Sequence, residues 1–468
     1  MRFAELERAD VAVWGGGREG RSVLAALGRR LRGKPLTVYC SPGEVQAVSD
    51  AYQRTLATAA PSGSDGTPPS PAIRTEPPDA DALASHDVVI KSPGISAYRP
   101  ELLAAQERGT RFTSGTALWF GENPDARVVA VTGTKGKSTT TAMIAHCARA
   151  LGIRTALAGN IGLPLLDLDG ERADLWAIEL SSFQTGEAGS VEVGVVVSLG
   201  EEHLDWHGTR ERYVADKLKL ADVSRTLLVD ADSALLMERT RSHPHRELFG
   251  DPGGWHVAAG AIQHGNDTVI ELEGLPLHGL HNARNACAAL AAIEQLGRDA
   301  RAAAASLRGF QPLPHRLTAL GAKGGIEWID DSISTTPDAA LAALRSLPGR
   351  NVTLILGGFD RGLGWDAFAR ALAMHPPRAV VTQGAAGPRI TRVLREARVE
   401  CAIEETADLA AAVSRARALV PPGGVVLLSP GAPSFDQFKD YAERGRTFAR
   451  LAGFDGDAIG EIAGLGIS

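Results

Sequence analysis

The 468-residue chain is poor in cysteine, has no long apolar run and carries no strong excess of either charge. Its four cysteines (Cys40, Cys147, Cys287 and Cys401) stand far apart, with no metal-like or redox-like pairing, and read as buried reduced thiols. The N-terminal residues 1–8 lack an apolar signal core, and no stretch is long enough to span a bilayer. A soluble, cytoplasmic protein with no membrane partner is expected. A net charge of −6 gives no broad electropositive surface, which argues against nucleic acid as a partner. Internal repeats are also missing.

There is, by contrast, ample core material: 44% of residues are hydrophobic, and at about 100–200 residues per domain the length suits roughly two to four domains. Short β-branched runs alternate with alanine- and leucine-rich helical stretches, the pattern of parallel α/β domains. Strands are expected at residues 11–14, 36–39, 87–90, 128–132, 175–180, 193–198, 352–356 and 425–428. Residues 59–78, rich in Pro, Ser, Gly and Asp, read as a surface insertion. Boundaries at Gly121-Glu-Asn-Pro and Gly309-Phe-Gln-Pro divide the chain into 1–122, 123–312 and 313–468, with hinges expected near Gly121 and Pro312.

The run Val129-Ala-Val-Thr-Gly-Thr-Lys-Gly-Lys-Ser-Thr139 joins a buried strand to a helix through a glycine turn. Backbone N–H groups of such a turn, with a helix N-terminus behind them, cradle phosphate oxygens. Lys137 would reach the terminal phosphates of ATP and Ser138 would help hold Mg²⁺. The usual loop has a glycine where this chain has Val131, so the cradle is a shortened one, formed by Gly133, Thr134, Lys135, Gly136, Lys137, Ser138 and Thr139.

Gly15-x-Gly17-x-x-Gly20 also follows a strand and suggests a dinucleotide. A NAD site needs an acid near the end of the second strand, and Leu36-Thr-Val-Tyr-Cys-Ser41 has none, which points to another diphosphate such as a nucleotide sugar. A second turn, Lys91-Ser-Pro-Gly-Ile-Ser96, would close over the same ligand; both could equally be ordinary strand–helix turns. Glu179, ending an apolar strand, suits Mg²⁺. The string Glu201-Glu-His-Leu-Asp-Trp-His-Gly208 offers His203 and Asp205 as ligands or polarising groups, though its two histidines alone would mean only a polar surface. Composition makes Lys217 a solvated helix lysine. Asn282 and Asn285 would bond an adenine ring, although capping would explain one of them. In the last third, Asp330, Asp331 and Ser332 fall at a strand end, and Arg361 follows a glycine turn, suited to a substrate carboxylate or to surface support of the turn.

Seven strings in order, GTKGKST, GNIG (159–162), ELSSFQ, EEHLDWHG, YVADK, HNARN and LPHR (313–316), resemble those of the Mur ligases, the ATP-dependent amide-forming enzymes of bacterial cell-wall precursor synthesis. The resemblance runs from Val11 to Gly445 apart from the insertion. WIDDSISTT (328–336) and LSPGAPSFDQF (428–438) are most similar to the glutamate-adding members. The resemblance implies an α/β protein of three domains: a Rossmann-like domain for a UDP-sugar, a central P-loop ATPase-type domain, and a Rossmann-like domain for an amino acid. It implies UDP-sugar binding by Gly15, Gly17, Arg18, Glu19, Ser92, Gly94, Asn160, Ser181, Ser182 and Gln184. ATP would take the loop residues with Asn282, Asn285, Arg316 and Asp331. Glutamate would meet Thr335, Arg361, Ser434, Phe435 and Tyr441. Lys137, Glu179, His203 and Lys217 would be catalytic, and Ser138, Glu179, His203 and a carbamylated Lys217 would hold Mg²⁺.

The implied partners are UDP-N-acetylmuramoyl-L-alanine and glutamate, joined through an acyl phosphate by a monomeric enzyme acting in cell-wall growth and division. Glutamate-adding members that use the D isomer commonly read DSKATN where this chain has Asp331-Ser-Ile-Ser-Thr-Thr336. Ile333 and Thr336 replace a lysine and an asparagine, which tilts the expectation toward the branch that adds L-glutamate, with D-glutamate the alternative. Folylpolyglutamate synthetase is a rival opposed by the GxGxxG domain and by ELSSFQ.

Overall fold

The computed structural model describes residues 1–58, 70–200, 204–276, 279–460 and 462–468. It divides into two compact units, Met1–Pro276 with Leu280–Phe310 and Gly464–Ser468, and Leu277–Gly279 with Gln311–Ala463.

The first unit holds two parallel sheets. In the first, β1 (Val11–Trp14), β2 (Leu36–Tyr39), β3 (Ala72–Arg74), β4 (Val88–Lys91) and β5 (Arg111–Thr113) line up in the order β3-β2-β1-β4-β5, all parallel. The order reverses between β1 and β4, the place where such sheets open a ligand crevice beyond their strand ends. β3 corrects the reading of residues 59–78 as an insertion: Ala72–Arg74 is a half-exposed edge strand of this sheet, while 59–69 lie outside the described residues.

The second sheet comprises β6 (Val128–Thr132), β7 (Thr155–Gly159), β8 (Leu175–Glu179), β9 (Val191–Val196), β10 (Ser224–Asp230) and β11 (Arg246–Phe249), in the order β11-β10-β9-β6-β8-β7. All residues of β6, β7 and β8 are buried, as expected for strands covered on both faces. A short antiparallel sheet, β12 (Trp255–Ala258), β13 (Ala261–His264) and β14 (Asp267–Glu271), follows.

The second unit carries β15 (Thr318–Lys323), β16 (Ile326–Asp330), β17 (Val352–Gly357), β18 (Ala379–Gln383), β19 (Ala402–Glu405) and β20 (Val425–Leu428), in the order β15-β16-β20-β17-β18-β19, with only β15 antiparallel. Side chains alternate across β17: Val352, Leu354 and Leu356 pack with Trp365 and Phe368, while Ile355 packs with Trp328 and Phe448. Both faces are therefore covered.

Two features depart from the sequence reading of the domains. β21 (Gly466–Ile467) pairs antiparallel with β7 in the second sheet, so the end of the 313–468 segment belongs to the first unit. Arg149 fixes it by donating from Nη2 to Gly466 O at 3.0 Å. Gly121, expected to be a hinge, lies inside the helix Gly115–Glu122, where a Cβ would fall 2.1 Å from Met1 O. Leu118, Trp119 and Phe120 of that helix bury in one core with β1, β6 and β8, and Trp119 meets Trp176 at 4.6 Å between ring centres. Among the described residues no helix is long and apolar enough to cross a membrane.

Candidate active site

The end of β6 runs into the phosphate-type loop and then the helix Lys137–Ala150, whose N-cap is Gly136 with φ +83°. This left-handed conformation costs little only for glycine, and a Cβ here would also fall 2.5 Å from Asn285 Oδ1. The loop is braced from two sides. Thr134 Oγ1 accepts from Gly200 N at 2.8 Å and pairs with Tyr213 OH at 2.9 Å. Ser198, just past β9, bonds both backbone groups of Lys135 through its hydroxyl, at 2.8 and 2.9 Å; the strand itself stops at Val196 rather than at 198. Lys137 donates to Thr134 O at 2.9 Å. Ser138 is half-buried and Thr139 buried, while Lys135 is exposed. Asn285, on the helix Leu280–Gln295, lies beside Gly136 and donates to Asn282 Oδ1 at 3.2 Å.

Register places the next group. Val131 of β6 and Gly159 of β7 both lie opposite Glu179 at the end of β8. The Glu179 carboxylate is buried: Oε1 accepts from Asn160 Nδ2 at 3.0 Å, and among the described residues Oε2 has no hydrogen-bond partner. An unsatisfied buried polar atom costs about 1–3 kcal/mol, more when charged, so such an oxygen suits a cation. Lys217 is fully buried, in contrast to the solvated lysine that composition suggests, and donates to Gly133 O at 2.8 Å. The hard oxygen donors Glu179 and Ser138, with Lys217 beside the loop, fit Mg²⁺. Among the described residues no three His, Cys, Asp or Glu side chains converge on a metal. His203 and the Asp205 side chain lie outside what is described.

The two glycine turns of the first sheet touch: a Cβ on Gly15 would fall 2.4 Å from Ser92 Oγ. Gly20 is fixed by close approach, since its Cβ would lie 1.8 Å from Gly15 O. Gly17 caps the helix Arg18–Arg30, and Gly94 is exposed. Arg18 donates to Gly162 O at 2.9 Å, joining this turn to the loop that carries Asn160. Burial pushes the Glu19 carboxyl up to about 7, with Asp167 and Glu187 adding to the rise against the charge of Arg18. Glu44 went unnoticed in the sequence because it lies beyond the strand end: its Oε2 accepts from Ser41 N at 2.9 Å, and Oε1 lies 3.8 Å from where a Gly17 Cβ would stand.

Ser181 and Gln184 bond each other, Ser181 Oγ donating to Gln184 Oε1 at 2.8 Å, and Gln184 Nε2 donates to Thr116 Oγ1 at 3.0 Å. Both ends of the Gln184 amide are thus engaged inside the protein. Ser182 instead faces His207. That histidine is fully buried, not part of a polar surface, with Nε2 2.9 Å from Ser182 Oγ and Nδ1 2.7 Å from Asp216 Oδ2.

In the second unit Asp330 pairs with His315 Nδ1 at 2.6 Å. Asp331 accepts from Ser429 Oγ at 2.7 Å and from Leu317 N at 3.2 Å. Burial nevertheless raises its carboxyl to about 7, against the Ser429 bond and the charge of Arg316. Arg444, fully buried and unremarked in the sequence, donates to Ser332 Oγ, Ser332 O and Pro433 O at 3.0, 2.8 and 3.1 Å. Ser332 Oγ in turn donates to Tyr441 O at 2.8 Å. One arginine thereby gathers the segments bearing Ser332, Ser434 and Tyr441. Phe435 is exposed and Thr335 half-buried. Arg361 is exposed beyond β17, and its neighbour Asp360 is held by Arg389 Nε at 2.8 Å.

A nucleotide loop facing a buried carboxylate and a buried lysine, on a parallel sheet followed by a further α/β unit, defines a ligase of the Mur type. The chain belongs to the Mur ligase family, ATP-dependent amide-forming ligases: residues 131–293 match the Mur ligase middle domain and 315–431 the Mur ligase glutamate ligase domain. Over its full length it is 46% identical to the UDP-N-acetylmuramoyl-L-alanine–L-glutamate ligase of Xanthomonas axonopodis pv. citri and 45% identical to the protein of that name from Xylella fastidiosa strain Temecula1, covering all of each. The fold is similar to that of the UDP-N-acetylmuramate–alanine ligase of Thermotoga maritima, with a TM-score of 0.60 at 21% identity over 95% of this chain and 99% of that one.

Proposed function

We propose that this enzyme joins L-glutamate to UDP-N-acetylmuramoyl-L-alanine in peptidoglycan precursor synthesis, with ATP as the energy source. The observation that carries the reading is full-length similarity to ligases of that name, together with Asp331-Ser-Ile-Ser-Thr-Thr336 in the loop after β16. In this reading the first sheet holds the UDP-sugar, the second ATP, and the sheet of the second unit the amino acid.

A carboxylate is a poor electrophile, so the alanyl carboxylate first takes the γ-phosphoryl group of ATP to become an acyl phosphate, releasing ADP. The Gly133–Gly136 backbone cradles the phosphates. Lys137 exchanges its bond to Thr134 O for a phosphate oxygen and offsets charge on the transferred group. Asn282 and Asn285 hold the adenine, and Arg316 and Asp331 are further candidates for contact with ATP. Glu179 and Ser138, with His203 and a carbamylated Lys217, would hold Mg²⁺, which would supply charge neutralisation on the phosphates. The glutamate amine then attacks the acyl carbon, and the tetrahedral intermediate expels phosphate. Ser434 and Tyr441, gathered by Arg444, and Arg361, suited to a carboxylate, select the amino acid.

The test is phosphate release from ATP by the purified protein with UDP-N-acetylmuramoyl-L-alanine and either isomer of glutamate. Turnover with L-glutamate alone is expected. Turnover with D-glutamate alone would overturn the stereochemistry, and turnover only with folate-like acceptors would overturn the substrate.

A further inference from the structure

The acid missing from the end of β2 is supplied one turn later. After β2 the chain makes a single 3₁₀ turn, Pro42–Glu44, and then enters the helix Val45–Thr58. Ser41 caps that turn and Glu44 answers it: Glu44 Oε2 accepts from Ser41 N at 2.9 Å and from Ser41 Oγ at 2.8 Å. One oxygen of the half-buried carboxylate is thereby fixed. The other, Oε1, has no hydrogen-bond partner among the described residues.

The side chain is seated on the first glycine turn. Gly15 N donates to Tyr39 O at 2.8 Å, which joins that turn to the end of β2. A Cβ on Gly16 would fall 2.8 Å from the Cβ of Glu44, 2.8 Å from that of Cys40 and 2.9 Å from Val48 Cγ2, so the stem of Glu44 lies directly against the turn. Glu44 Oε1 then stands 3.8 Å from the place a Gly17 Cβ would take. Gly17 has no side chain to cap the helix Arg18–Arg30, whose first backbone N–H groups suit the phosphates of a nucleotide. An oxygen that only accepts hydrogen bonds thus stands beside a row of groups that only donate them.

We propose that Glu44 is a specificity residue that reads the ribose of the UDP-sugar, Oε1 accepting from its 2′- or 3′-hydroxyl. This rests on the proposed function. The order of groups in the nucleotide decides which of them Glu44 meets. The ribose is joined directly to the α-phosphate and the base lies one group further out, so the unit next to phosphates held at the Gly15–Gly17 turn is the sugar. A carboxylate repels the phosphates themselves. The ribose diol, by contrast, offers it two O–H donors side by side, where uracil has a single N–H. In dinucleotide folds an acid at the end of the second strand reads a ribose by this chemistry. Here the acid comes from the turn after the strand, and the bonds from Ser41 hold it in place. Reading a diol is therefore no mark of NAD in this sheet: the uridine of the proposed substrate presents the same pair of hydroxyls.

The experiment measures phosphate release by the full chain at saturating ATP and L-glutamate, with three muramoyl-L-alanine substrates: the uridine form and its 2′-deoxyuridine and 3′-deoxyuridine analogues. Wild type, Glu44→Ala and Glu44→Gln are compared. The wild type should lose roughly ten- to a hundredfold in kcat/KM on at least one deoxy analogue, the range for a hydrogen bond to a charged group. The loss should fall on KM with kcat unchanged, because the ribose lies far from the reacting carboxylate. Glu44→Ala should raise KM for the uridine form by a similar factor and should barely distinguish the three substrates. Should Glu44→Ala fail to fold, Glu44→Gln decides: its amide oxygen keeps the bond from Ser41 N, its amide N–H₂ faces the ribose, and the preference should shrink. If the wild type uses both deoxy analogues as well as the uridine form, the inference is overturned while the ligase reading stands. It is equally overturned if the variants keep the full wild-type preference, since Glu44 would then only cap its own turn. No wild-type turnover of the uridine form would overturn both.

Discussion

Asp331→Asn should make the protein more stable and less active at once, and the gain should depend on pH in a way only a strained carboxylate produces. Asp331 is buried, and its carboxyl titrates near 7 in the folded chain against 3.8 when exposed. The proton is therefore bound more tightly folded than unfolded, and stability attached to this group is fully present below pH 3.8 and lost as pH rises to about 7. A difference of that size, at about 1.4 kcal/mol per pH unit, amounts to about 4 kcal/mol above pH 7. Asparagine keeps the shape and can still accept from Leu317 N and bond Ser429 without carrying the charge. Thermal and denaturant unfolding of wild type and Asp331→Asn at pH 5 and pH 8 should show a difference of roughly 1.5 kcal/mol at pH 5, about a third of the full effect. The difference should grow with pH to an increase on the order of 10 °C at pH 8 for a unit of this size. ATP turnover should fall over the same range if the carboxylate serves the nucleotide. An equal effect at both pH values, or a destabilisation at pH 8, would refute the argument that burial dominates this site.

Three further outcomes follow from the geometry. Glu179→Gln removes the charge whose Oε2 has no donor among the described residues, and should cut ATP turnover roughly a hundredfold in a Mg²⁺ titration without lowering the melting temperature. Gly136→Ala forces a Cβ into Asn285 at a left-handed φ; it should destabilise by about 1–2 kcal/mol in denaturant titrations and abolish nucleotide binding by calorimetry. Deleting 464–468 strips β21 from the edge of β7 and should lower the thermal midpoint while leaving the second unit's near-ultraviolet signal intact.

Elements whose signal is local were legible from residues alone. β1, β2, β6 and β20 begin and end where their β-branched runs do, because each is a buried central strand with no competing partner. Ala72–Arg74 was missed because an exposed three-residue edge strand has no apolar period and exists only through its pairing with β2. β21, two residues long, is invisible for the same reason. The phosphate loop announced itself by glycine spacing, whereas the burial of Lys217 contradicts its local composition and was legible only through family resemblance. His207 and Asp216 stand nine positions apart and meet only because the helix Arg210–Val223 packs back against the short helix Leu204–His207, so no local spacing could have joined them. Arg444 gathers segments more than a hundred residues apart, a relation that no window of sequence contains.

β21 makes the second unit an interruption of the first unit's chain. Everything from Gln311 to Ala463 is synthesised before the strand that completes the second sheet. A nascent chain therefore carries its second sheet with β7 as an open edge, offering unpaired backbone N–H and C=O groups, until the whole second unit has emerged. Order of translation thus leaves that sheet open to mispairing while the second unit is made, and a stalled or truncated product would present that edge permanently.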